Sequence, residues 1–234
     1  MKQSLRFFID FDGTVTTQDA VDLVLDRFAA DEWKDIEKEW SKGKIGSREC
    51  LTRQMALVSA TRQEIVKLAD TIAADPGFVS FLRTLKSLSV PAVIVSDGFD
   101  VIIQTILKNI LREEPALLKA LTVYSNRLSW VTERKVKPFF LSSTNACVHG
   151  CANCKVRAIE KIKTDKDCVV FVGDGLSDRF AAAESDVVFA KKSLLEFCRE
   201  KNLSHRPYES FRDIEDWVLA QSKNWVKLRS VHAV

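Results

Sequence analysis

Leu5-Arg6-Phe7-Phe8-Ile9 leads straight into Asp10-Phe11-Asp12-Gly13-Thr14-Val15-Thr16, and the reading of this stretch decides the fold. A short run rich in Phe and Ile that gives way to a glycine-containing turn reads as a buried strand opening into a loop. Asp10 and Asp12 stand two residues apart at that opening, so both can project into one strand-end cleft.

Further along, a strand over 91–95 ends in Ser96-Asp97-Gly98, and another over 168–172 ends in Gly173-Asp174-Gly175. Helical patterns over 78–88, 101–111, 155–162 and 179–184 alternate with these strands and with a last one over 187–190. Short strands over 122–124 and 128–132 are expected to meet at a tight Ser125-Asn126 turn. Alternating strand and helix predicts an α/β fold, a Rossmann-like parallel sheet with helices on both faces. Ligands of such sheets bind beyond the carboxyl ends of the strands. Three strands here end in loops carrying Asp and Gly.

Between the first strand and residue 76 the pattern is helical throughout. Ala20, Val21, Val24 and Leu25 share one face, as do Ile36 and Trp40, then Leu51, Met55 and Val58. Ile65, Leu68, Ala69 and Ile72 follow Thr61, a plausible N-cap. Four short helices with no strand among them predict a small helical cap over 16–75, set into a core of 1–15 and 76–234.

Phosphate monoesters are among the slowest compounds to hydrolyse unaided, with enzymatic accelerations reaching about 10²¹. A site for them needs a nucleophile, neutralisation of the phosphoryl oxygens and a proton for the leaving oxygen. The strand ends offer these parts. Asp10, Asp12, Asp174 and Asp178 can make a hard-oxygen magnesium site. Ser96 and the amides of Asp97 and Gly98 can bind phosphate oxygens, and Lys155 opens a helical segment with a fixed positive charge.

Asp10 to Thr16, Val95-Ser96-Asp97-Gly98, Lys155 and Gly173-Asp174-Gly175-Leu176-Ser177-Asp178 resemble the four ordered motifs of the haloacid dehalogenase superfamily. The helical insert after the first motif resembles its phosphoserine phosphatase-like branch. The resemblance implies a magnesium-dependent phosphatase working through an aspartyl-phosphate. Asp10 would be nucleophile and metal ligand. Asp12 would be the acid and then the base, with its main-chain carbonyl on the metal. Asp174 would be the third ligand, and Asp178 would support the metal or orient Lys155. Ser96 and Lys155 would hold the phosphoryl group. Ion-pumping relatives carry Thr at the position of Asp12, so the carboxylate there favours a phosphatase.

The segment Cys147-Val148-His149-Gly150-Cys151-Ala152-Asn153-Cys154 precedes Lys155 directly. Its Cys147, His149, Cys151 and Cys154 have zinc-ligand chemistry, but closed sites need four ligands in a suitable arrangement, and packed free thiols are the competing reading. A Cys-rich loop here resembles two groups. One is the methionine-salvage phosphatases acting on 2-hydroxy-3-keto-5-methylthiopentenyl 1-phosphate; the other is the phosphoethanolamine/phosphocholine phosphatases. The first resemblance reaches further, through Asp19 and Trp33, Phe189-Ala190, Cys198-Arg199-Glu200 and 202–208 with Phe211. Asp19 is then a candidate substrate contact from the cap. A phosphoamine reading would use Asp19, Asp22, Trp33 and Trp40 as a cage for a cation. Phosphoserine phosphatase is a weaker match, because a Glu is expected where Asp19 stands. A phosphotransferase or mutase, and a non-catalytic phospholigand-binding protein, are the alternatives of other classes.

The 35 basic and 32 acidic residues give a net charge of +3 and no long basic run, which argues against a nucleic-acid partner. The first residues run into a strand without a leader-like apolar stretch, and no segment is long enough for a membrane span. The expectation is a cytoplasmic monomer or homodimer with a small phosphomonoester as its partner. Cys50, Cys168 and Cys198 read as small core residues, and His232 as a tail residue.

Overall fold

β1 (Ser4–Ile9) sits at the centre of the molecule because its Phe7, Phe8 and Ile9 are apolar in succession and must be covered on both faces. We describe a computed structural model covering residues 4–142, 147 and 149–231, with the side chains of its last helix as far as residue 222. His232 lies outside the described residues.

The remaining strands are β2 (Ala92–Phe99), β3 (Thr122–Trp130), β4 (Val136–Phe139), β5 (Asp167–Gly173), β6 (Val187–Ala190) and β7 (Arg206–Pro207). They form one sheet of order β4-β3-β2-β1-β5-β6-β7. Every pairing is parallel except β3 with β4 at one edge. Ile9 pairs with Ile94 on one side and Val172 on the other, which brings three strand ends to one level.

Alternation along β1 sends Phe7 and Ile9 to one face and Phe8 to the other. The first face is covered by α5 (Phe78–Ser87), α6 (Asp100–Ile110) and α11 (Phe211–Val231), which bring Phe81, Ile102 and Phe211 to it. The second is covered by α8 (Lys155–Ile162), α9 (Arg179–Ala183) and α10 (Lys192–Glu200), through Ile159, Ala181 and Leu194. The expected α/β architecture with helices on both faces is present.

Between β1 and α5 the chain forms α1 (Ala20–Phe28), α2 (Trp33–Ser41), α3 (Ser47–Ala56) and α4 (Arg62–Ala69). Asp19 caps α1, its carboxylate accepting from the amides of Val21 and Asp22. Thr61 caps α4 in a reciprocal box with Glu64. We propose that residues 16–75 act as a cap. A short helix, α7 (Pro115–Ala120), also lies before β3.

Two local expectations are corrected. The Ser125-Asn126 pair does not turn. β3 runs through it unbroken, and the reversal comes after Trp130, before β4. Asn126 is fully buried and its Nδ2 donates to the Asp97 carbonyl at 2.7 Å, so a tertiary partner takes the donor of a side chain that would otherwise favour a turn. β2 likewise runs on through Ser96-Asp97-Gly98, with its pairing to β3 shifted between Val95 and Phe99. Among the described residues no helix is long and apolar enough to cross a membrane.

Candidate active site

The first, third and fourth motifs meet on one ammonium group. Asp10 follows β1 directly and is held by its amide, which donates to the Val172 carbonyl at 2.9 Å. Lys155, the first residue of α8, is only 4% exposed. It donates to Asp10 Oδ1 and Asp178 Oδ1, each at 2.5 Å, and reaches Ser177 Oγ at 3.4 Å. The other oxygen of Asp178 accepts from the amides of Asp174 and Gly175 at 3.0 and 3.1 Å. Burial disfavours the Lys155 ammonium, but Asp10, Asp178 and Asp97 outweigh it and hold its pKa well above the ordinary lysine value. Burial and the neighbouring Asp178 push the Asp10 carboxyl up against the pull of Lys155.

Asp12 faces the opposite way, towards the start of α1. Its Oδ1 accepts from the Ala20 amide at 3.1 Å and its Oδ2 from Ser96 Oγ at 3.0 Å. Ser96 in turn accepts from the Gly98 amide at 2.8 Å. Burial, followed by repulsion from Asp19, raises the Asp12 carboxyl to about 8. A carboxyl that keeps its proton near neutrality is equipped to donate it. Gly98 has to be glycine here, because a Cβ would stand 2.5 Å from Asp12 Oδ2. Gly13 carries φ +72°, and a Cβ on it would collide with Asp174 Oδ2.

Oxygens of Asp10, Asp174 and Asp178 all lie within 4.8 Å of one another. Three buried carboxylates against one buried ammonium leave an excess of negative charge that a hard divalent cation fits. The main-chain carbonyl of Asp12 was expected as a ligand beside Asp10 and Asp174. The trio of carboxylates adds Asp178, which was expected in support of the metal.

Some participants had no sequence signal. Lys192, at φ +48°, donates to Asp174 Oδ2 at 2.9 Å and to the Gly13 carbonyl at 3.3 Å. Thr14 donates to Asp174 Oδ1. Asn153, inside the Cys-rich loop, donates from its amide to Asp97 Oδ1 and from its side chain to the carbonyls of Ser96 and Tyr124. It ties that loop to the second strand end.

The Cys-rich loop also docks on the start of α3, where Arg48 N donates to the Gly150 carbonyl and Ala152 N to Ser47 Oγ. The Cys147 thiol is hydrogen-bonded to the thiols of Cys151 and Cys154, while among the described residues the trio gathered at metal-site spacing is the aspartate group. The His149 ring instead stacks on Phe180, with centroids 3.7 Å apart. Burial pushes the Cys151 thiol up to about 12, whereas the Cys151 and His149 amides lower Cys147 despite its burial.

Above Asp10 and Asp12 lies a cavity of about 240 Å³, closed from the cap side by Asp19, Asp22, Glu37 and Trp40. Asp19 is exposed at its edge, engaged as the α1 cap. Trp33, expected beside these residues, is buried in the core instead.

Comparison with known proteins follows the same lines. The family described as haloacid dehalogenase-like hydrolase matches residues 6–186. A 2-hydroxy-3-keto-5-methylthiopentenyl-1-phosphate phosphatase of Bacillus pumilus is 28% identical over 209 residues, covering 88% of this chain and 87% of its own. The enzyme of the same name from Geobacillus thermodenitrificans is 29% identical, covering 92% of this chain and 96% of its own. Among solved structures, a phosphoserine phosphatase carrying a phospho-aspartyl intermediate analogue superposes with a TM-score of 0.66 at 21% identity. That match covers 92% of this chain and 99% of the other.

Proposed function

Because the chain belongs to the haloacid dehalogenase-like hydrolases, we propose that it is a magnesium-dependent phosphatase acting through an aspartyl-phosphate on Asp10. The observation that carries the reading is the grouping of Asp10, Asp174 and Asp178 around Lys155, next to an Asp12 whose carboxyl titrates near 8.

Asp10, Asp174 and the Asp12 carbonyl would hold Mg²⁺, with Asp178 in support. Bound there, the ion offsets charge on the carboxylates and the phosphoryl oxygens. Lys155, Ser96 and the amides of Asp97 and Gly98 bind the phosphoryl group. An Asp10 carboxylate oxygen attacks phosphorus, forming an O–P bond as the ester O–P bond breaks. Asp12 gives its proton to the leaving oxygen. Asp12 then takes a proton from water, whose oxygen attacks phosphorus and releases inorganic phosphate from Asp10. Before substrate arrives, the Ser96 hydroxyl donates to Asp12 Oδ2 and orients it.

For the substrate we propose 2-hydroxy-3-keto-5-methylthiopentenyl 1-phosphate, on the strength of relatives of that name aligned along about nine-tenths of the chain. Phosphoethanolamine or phosphocholine is a second reading, favoured by Asp19, Asp22 and Trp40 on the cavity wall.

Phosphate release from these three esters and phosphoserine, with and without magnesium, tests the proposal. We expect magnesium-dependent release that Asp10→Asn lowers by roughly 10⁴-fold or more, as loss of a nucleophile does. Equal turnover by wild type and Asp10→Asn would sink the mechanism, and the highest kcat/KM names the substrate.

A further inference from the structure

We propose that Asp22 and Glu37 select the leaving group by charge, admitting neutral or cationic groups and turning away those that carry a carboxylate. The inference rests on the phosphatase reading and concerns the part of the substrate beyond phosphorus.

The cavity above Asp10 and Asp12 is where a leaving group must lie, since the same residues line it as carry the chemistry. Its far wall is built by the cap. Asp22 comes from the first turn of α1 and Glu37 from α2. Glu37 is not free to swing away. Its Oε2 accepts from Gln54 Nε2 at 2.9 Å and from the Cys50 thiol, and both donors are buried. Asp22 is half-buried on the same wall.

Among the described residues no lysine, arginine or histidine lines this cavity. Of the cations nearby, Lys155 is engaged by Asp10 and Asp178 and Lys192 by Asp174, while Lys44, Arg157 and Arg179 line an adjoining cavity of about 850 Å³. A carboxylate on the leaving group would therefore face Glu37 and, above about pH 8, Asp22 as like charges, and find no cation in the cavity's described lining. At a separation of ~7 Å, screening between that of a protein surface and that of water makes each like charge worth roughly three- to fiftyfold in binding. An ammonium or a hydroxyl donor meets acceptors on the same wall. The proposed methylthiopentenyl ester, with a hydroxyl and no carboxylate on its leaving group, fits this description.

O-phosphoserine and O-phosphoethanolamine share a phosphate and an ammonium and differ by one carboxylate, so the pair isolates the charge. Calorimetric titration of both into magnesium-loaded Asp10→Asn protein reads binding whether or not either ester is turned over. We expect phosphoethanolamine to bind at least ~20-fold more tightly. Adding Glu37→Gln should narrow that ratio about fivefold, Asp22→Asn should do so above about pH 8, and the two together further. Equal binding of the two esters, binding of neither, or a ratio unmoved by both isosteric changes overturns the inference. Absence of turnover of any ester by wild-type protein, with the binding ratio as expected, would instead count against the phosphatase reading alone.

Discussion

The two walls of the cleft treat charge in opposite ways. On the core wall each buried carboxylate has a partner: Asp10 and Asp178 share Lys155, Asp178 also takes two amides, and Asp174 takes Lys192 and Thr14. On the cap wall Asp19, Asp22 and Glu37 crowd together with amides, an amide side chain and a thiol for donors, and no cation among the cavity's described lining. Burial, with repulsion from Asp19 and Glu37, raises Asp22 to about 8. The core wall is preorganised for a phosphoryl group and a metal before either arrives. The cap wall is left unbalanced, and an unbalanced wall discriminates among ligands.

The largest break in this contrast comes from removing the shared cation. Lys155→Ala would leave Asp10 and Asp178 buried together without a counter-charge. Stability should fall by about 3–5 kcal/mol in chelator, read from urea denaturation, with phosphate release down roughly 10³-fold. Magnesium should restore part of the stability but not the rate. A variant as stable as wild type in chelator would show that the aspartates do not depend on Lys155.

The core wall was legible in the sequence because most of its parts stand at strand ends, close to a glycine, in short local patterns. Asp10 and Asp12 follow β1, Ser96 lies in β2, and Asp174 and Asp178 follow β5. The cap wall was only half legible. Asp19 and Asp22 stood beside a periodic helix, but Glu37 lies among Asp35, Lys38 and Glu39 in α2 and resembles any solvated helix charge. Its role comes from Gln54 and Cys50, 17 and 13 residues away. Lys192 was hidden for the same reason, since its contact with Asp174 spans 18 residues and needs a left-handed backbone. Asn126 misled because a polar pair normally means a turn, and only the Asp97 carbonyl explains it inside a strand. What the chain encodes locally can be read, and what packing supplies cannot.

Metal should sharpen the same contrast by a smaller amount. At roughly 100 times its dissociation constant, magnesium should stabilise the protein by about 2.7 kcal/mol. Asp174→Asn should abolish most of that gain, and Glu37→Gln should leave it intact. Thermal unfolding with and without the ion separates the walls. An equal loss in both variants would mean that the cap carboxylates also hold the cation.

Asp167 gives a reference outside the cleft. It is buried beneath Arg6, whose Nε donates to it at 2.8 Å, and also accepts from Ser4 and the Thr164 amide. These bonds outweigh burial and lower its carboxyl to about 2, against an ordinary value near 4. Because the folded pKa is depressed, the stabilisation is complete above about pH 4 and is lost as the pH falls towards 2. Asp167→Asn should cost about 1–2 kcal/mol at pH 7, the solvent-facing Arg6 side weakening the pair. The difference from wild type should vanish between pH 4 and 2 in urea titrations, while phosphate release at pH 7 stays unchanged.

The smallest expected effect asks whether the cap wall is held locally or from the core. Thr61 N donates to Glu64 Oε2 at 2.7 Å, and Glu64 N donates to Thr61 Oγ1 at 3.2 Å. Glu64 also pairs with Arg134 at 3.0 Å, and the Trp130 indole donates to the Ala60 carbonyl, so α4 is fastened to the β3–β4 hairpin as well. Thr61→Ala removes the local half of this attachment and leaves the hairpin contacts. It should cost about 1 kcal/mol, the usual worth of an N-cap. Asp22 and Glu37 lie on other helices, so kcat/KM and the phosphoethanolamine-to-phosphoserine ratio should stay within about twofold. A tenfold change in that ratio from so small a loss of stability would mean that the cap wall moves as one body, with its spacing set by the attachment of α4 rather than by Gln54 and Cys50.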